Sequence, residues 1–89
     1  MKIVNIDCAG ITDARQLHEI LARALTFPDW YGNNLDALYD CLTALGEETV
    51  ITLCGTQSMG RWEKPFLRVL GDAARENPRL TWYLPEQTE

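Results

Sequence analysis

Three short runs rich in β-branched and aromatic residues, at 2–8, 49–54 and 80–84, are separated by segments whose apolar residues recur every three or four positions. No other feature constrains the fold as much. A strand that returns beside its neighbour in the same direction needs a crossover of a dozen residues or more, and a helix usually supplies it. The order strand, helix, helix, strand, helix, strand therefore predicts an α/β fold: a three-stranded parallel sheet with packed helices, the first strand central. At 89 residues the chain is expected to form a single domain, 1–89, with one modest core and little room for a deep catalytic cavity.

The helices carry readable ends. Asp13 is placed as an N-cap, and Gln16 three residues later makes a capping-box pattern. Leu17, Ile20, Leu21, Ala24 and Leu25 then form a buried stripe. Phe27-Pro28 stops this helix, because the residue before Pro avoids the α region. Residues 29–32 form a tight loop, and Asn33 or Asn34 caps the second helix. Its stripe is Leu35, Leu38, Cys41, Leu42 and Leu45, with Gly46 as the stop. Residues 55–60 read as a loop with one irregular helical turn. Pro65 suits the first position of a third helix, lined by Phe66, Leu67, Leu70, Ala73 and Ala74 and ended by Asn77-Pro78. Residues 85–89 are a polar tail.

Charge is distributed very unevenly. Between Arg23 and Arg61 there is no Lys, Arg or His, yet the span holds Asp29, Asp36, Asp40, Glu47 and Glu48. Its charge equals the net charge of the whole chain, −5; the other eight acids and eight bases cancel. An acidic chain lacks the basic footprint that nucleic acid demands, and this one favours a cationic partner. No apolar run approaches the roughly 20 residues of a membrane span, and MKIVNIDCAG is too short and polar for a signal peptide. Three cysteines, Cys8, Cys41 and Cys54, fit no CxxC pattern. Reduced thiols in a cytoplasmic protein are the natural reading.

At about 100° per residue, Asp36 and Asp40 face directly away from the apolar stripe of the second helix. A solvated helix face is the ordinary explanation for such a pair. Against it stands a cost of roughly 0.2–0.5 kcal/mol for like charges at i,i+4, with no cation nearby to offset it, so Ala at either position is expected to stabilise the helix. A metal-dependent enzyme is a second possibility, although two carboxylates are too few ligands and no third is evidently placed. Binding is a third. Trp30 and Tyr31 precede a Gly in a short loop and cannot both point into one core, and Tyr39 borders the acidic face. Aromatics beside uncompensated carboxylates have the composition of a binding hot spot. His18 lacks a nucleophile motif and reads as a packed or surface residue, and Cys41 as a buried, inert thiol.

The stretch LHEILARALTFPDWYGNNLDALYDCLTAL resembles the barstar family of intracellular inhibitors of barnase-like ribonucleases. The pattern Y-G-x-N-L-D-A-L-x-D-C-L carries the resemblance, and it weakens beyond Gly46. It implies a barstar-like fold, no catalytic activity, no cofactor, and a 1:1 complex with a basic extracellular-type ribonuclease. By this resemblance the acidic helix and preceding loop would fill the groove where RNA phosphates lie. Asp40 would be the central phosphate mimic, Asp36 would face a neighbouring basic residue, and Trp30, Tyr31 and Tyr39 would be aromatic contacts. Gly32, Asn34, Ala37, Thr43 and Glu47 match the contact rim, and Asp72 matches a more distant acid. Trp30 stands at a family tyrosine position, Tyr39 at a family tryptophan, Asn33 at a family acid, and residues 55–64 diverge. These departures bear on which enzyme is bound, and an immunity protein against a different nuclease toxin is the alternative.

Overall fold

A computed structural model describes residues 1–85. Strand β1 spans Lys2–Asp7, followed by helices α1 (Ala14–Leu25) and α2 (Leu35–Thr43). Strand β2 (Thr49–Cys54) leads through a 3₁₀ segment (Thr56–Trp62) into α3 (Glu63–Glu76) and strand β3 (Leu80–Tyr83). Both strand pairings are parallel. The sheet order is β1-β2-β3, so β2 is central and β1 is an edge. The sequence reading that put the first strand in the centre is corrected here. Val4 and Ile6 are buried while Ile3, Asn5 and Asp7 are exposed, an alternation that suits an edge as well as a centre once only one face is covered.

One sheet face carries the core. Val4, Ile51 and Trp82 lie side by side across the three strands, with Ile6 beside Leu53, and α-helical Leu17, Leu21, Leu38, Leu42, Phe66 and Leu70 complete the same buried cluster. The opposite face, with Ile3 at 66% and Tyr83 at 55% exposure, carries no layer among the described residues. No helix among them is long and apolar enough to cross a membrane.

Local chemistry explains most element ends. Asp13 caps α1 by accepting the Gln16 N–H at 2.8 Å. The Gln16 side chain reaches one residue further back than a capping box requires and accepts the Thr12 N–H at 2.8 Å. Thr26 closes α1 in the left-handed region, φ 58°, a conformation uncommon for a β-branched residue. Gly55 is left-handed at φ 70°, and a Cβ there would meet the backbone N of Ala9 at 2.8 Å. Only glycine lets the exits of β1 and β2 approach this closely. The third helix begins at Glu63, two residues before Pro65. Pro65 therefore sits third in the helix, where its missing N–H would be unpaired in any case. Gly46 lies beyond the C-cap of α2, which is Ala44 in a right-handed conformation; the expected glycine stop is not used. Residues 86–89 of the expected tail lie outside the described residues.

Candidate partner-binding face

The face is built on α2 and the loop that feeds it. Asn34 is the N-cap, its side chain accepting the Ala37 N–H at 2.8 Å. The same amide donates to Gly32 O at 3.2 Å, which ties the loop to the helix start. Asn33 takes the left-handed turn, φ 53°. Leu38, Cys41 and Leu42 point into the core. That registration leaves Asp36 and Asp40 exposed on the outer side, with Ala37, Tyr39 and Thr43 half-buried beside them.

The two aromatics of the loop separate. Trp30 stands 76% exposed, whereas Tyr31 is only 8% exposed. The Tyr31 ring packs on Phe27, centroids 4.9 Å apart. Its hydroxyl lies 2.5 Å from Nδ1 of His18, on α1. Burial pushes the His18 pKa below its ordinary value and that of Tyr31 well above its own, with the Cys41 thiol adding to the latter. Neutral imidazole bonded to neutral phenol thus anchors the loop that presents Trp30. Tyr31, counted among the sequence-based contacts, turns its ring inward.

Among the described residues the ion pairs are Arg15 with Glu19 and Arg75 with Asp72. Asp36, Asp40, Glu47 and Glu48 take part in neither. Their positions along the helix make the two aspartates unequal. Asp36 lies in the first turn of α2, where the free N–H groups favour an anion. Asp40 lies in the last turn, where carbonyls already carry negative character and no basic residue compensates. The sequence reading that Ala would stabilise the helix at either position is therefore corrected for Asp36. Burial, and secondarily the Asp40 carboxylate, raises the Cys41 thiol pKa, so this cysteine stays protonated.

A cleft of about 290 Å³ is lined by Asp40 together with Phe27, Pro28, Trp30, Ala44 and Leu45. The Thr43 hydroxyl donates back to Tyr39 O (2.9 Å) and Asp40 O (3.1 Å). Glu47 is exposed just beyond the helix. Asp72 sits apart on α3, paired with Arg75. Among the described residues no group of three or more Asp, Glu, His or Cys is placed to hold a metal ion. The arrangement suits recognition of a cationic surface.

Two supports of this face escape sequence reasoning. The His18–Tyr31 bond joins residues 13 apart through the fold. Asn77, which reads only as a helix terminator, is buried and donates from its side chain to Leu42 O and Leu45 O. Neither pairing leaves a periodic trace in the sequence.

The family model described as Barstar (barnase inhibitor) matches residues 1–84. A Bacillus subtilis (strain 168) protein named "Putative ribonuclease inhibitor YrdF" is 49% identical over 43 residues. That alignment spans about half of each chain, 48% of this one and 47% of the relative.

Proposed function

Since the chain belongs to the barstar family, we propose that it is a ribonuclease inhibitor that blocks the active site of a secreted barnase-like enzyme in a 1:1 complex. The observation that carries this reading is the pair of exposed, unpaired carboxylates, Asp36 and Asp40, inside a segment that holds the whole net charge. An enzyme that cleaves RNA must present cations where phosphates bind, and carboxylates can satisfy them through charge-assisted hydrogen bonds. Asp40 is the central phosphate mimic. Asp36 flanks it, Trp30 packs on the enzyme, and Tyr39 covers the neighbouring edge. Gly32, Asn34, Ala37, Thr43 and Glu47 form the rim, and Asp72 meets the enzyme's margin once it exchanges Arg75 for an intermolecular cation. Tyr31 holds the loop. The inhibitor acts in the cytoplasm, on enzyme that has not been exported. A nuclease toxin of another architecture is the alternative target, because Trp30 and Tyr39 depart from the aromatic types implied by the family resemblance.

Mixing the protein with a panel of small basic ribonucleases and following RNA cleavage tests the proposal. Stoichiometric loss of activity is expected with at least one barnase-like enzyme, and Asp40→Ala should raise its Kd by at least about thirtyfold, the equivalent of ~2 kcal/mol. Undiminished cleavage across the panel at excess inhibitor would refute it. Inhibition confined to nucleases of other architecture would favour the alternative.

A further inference from the structure

The carboxyl end of α2 poses an electrostatic problem. Its last turn carries the Asp40 carboxylate and no basic residue, its carbonyls Asp40 O, Cys41 O and Leu42 O share the single Ala44 N–H, and Glu47 and Glu48 follow shortly after. Lys, Arg or His near a helix end of this kind can bond the carbonyls and complement the dipole. A cation here would also pair with Asp40 or Glu47 and neutralise the surface that a cationic partner must find. What the fold brings to this end from elsewhere is a neutral group of another helix, which meets Leu42 O in the last turn and Leu45 O just beyond the cap.

Asn77, the C-cap of α3, is 4% exposed. Its Nδ2 donates to Leu42 O at 3.0 Å and to Leu45 O at 3.2 Å. Its Oδ1 accepts the Arg79 N–H at 3.1 Å. Its backbone N–H reaches Ala73 O at 2.8 Å, and its carbonyl accepts Leu80 N–H at 3.0 Å. Every polar group of the residue is thus engaged, as a buried amide requires. One side chain ties together the end of α2, the end of α3 and the start of β3. Within the chain's own turn, Leu42 O receives the Leu45 N–H at 3.4 Å and a share of the Ala44 N–H, which also serves Asp40 O and Cys41 O. Asp40 belongs to the same turn, its own carbonyl accepting the Ala44 N–H.

We infer that Asn77 is a positioning residue for the partner-binding face: its buried amide completes the carboxyl end of α2 with a neutral donor, fixing the pose of Asp40 while leaving its charge bare. The inference rests on the inhibitor reading above. A turn already fixed before docking loses little conformational entropy on binding, so the benefit falls on the lifetime of the complex. Encounter depends on charge, which Asn77 does not alter.

The test compares wild type, Asn77→Ala, Asn77→Asp and the core control Leu70→Val on a ribonuclease that wild type inhibits, by stopped-flow association and dissociation. Asn77→Asp keeps the acceptor for Arg79 N–H and loses the donor. Both Asn77 variants should dissociate about tenfold faster or more, and Asn77→Ala should associate within about twofold of wild type. Leu70→Val should lower the melting temperature without changing dissociation. Folded Asn77→Ala with the wild-type dissociation rate, or a control that dissociates as fast as the variants, would overturn the inference. Should the variants not fold, amide exchange in free wild type decides: protection of residues 43–45 equal to mid-helix α2 supports it, and fraying there refutes it. If wild type inhibits no ribonuclease, the functional reading fails, while the exchange measurement still judges the cap.

Discussion

His18 and Tyr31 are where the core and the proposed binding loop meet. Buried imidazole is held neutral, and burial is what lowers its pKa below the ordinary 6.5. The unfolded chain takes up a proton near that ordinary value and the folded chain does so only at lower pH, so the two states bind protons unequally in between. Stability contributed by neutral His18 is therefore fully present above about pH 6.5 and is lost as pH falls from there through the depressed folded-state value. Urea midpoints of the free protein should drop across this interval. His18→Gln should flatten that slope, and a variant that retains it would place the titrating group elsewhere. At this scale much was legible from the sequence: the exposure of one of Trp30 and Tyr31, the capping by Asp13, and the burial of Cys41. Which aromatic turned inward was not, because the choice depends on a histidine brought close only by folding.

The helix α2 packs one side into the core and leaves two carboxylates on the other, and its charges show the cost. Asp36→Asn removes an anion from the N-terminal turn, where the dipole contributes about 0.3–1 kcal/mol, but also relieves a repulsion of about 0.2–0.5 kcal/mol. Asp40→Asn removes two unfavourable terms at once, the repulsion and the clash with the carboxyl end. Chemical denaturation should show Asp40→Asn stabilised by about 0.5–1 kcal/mol and Asp36→Asn unchanged or weaker. Equal shifts in the two variants would mean that the dipole is not what separates them. Helices, strands and the parallel sheet were all legible from periodicity. Their ends were less so: α3 starts ahead of Pro65, and α2 stops without using Gly46. A stop signal read along the chain cannot reveal a donor such as Asn77, which arrives from 32 to 35 residues away. Strand order was hidden for a related reason, since an alternating run such as 2–7 fits an edge or a centre equally.

For the molecule as a whole, the uneven charge is the property a distant partner meets first. If the −5 segment steers a cationic enzyme, association should slow by about tenfold or more as ionic strength rises from about 0.01 M to about 0.1 M, over which the Debye length shrinks from about 30 Å to about 10 Å. Dissociation, governed by contacts already formed, should change far less. A flat association rate would contradict steering. The three tryptophans are distributed just as unevenly. Trp62 and Trp82 are packed against the core, while Trp30 stands in water. Excited at the indole band, the chain therefore emits from two kinds of site. Loss of the fold would unveil Trp62 and Trp82, whereas a partner docked on the acidic face as proposed would shade Trp30. On the proposed reading the protein carries a built-in optical gauge that separates being bound from coming apart.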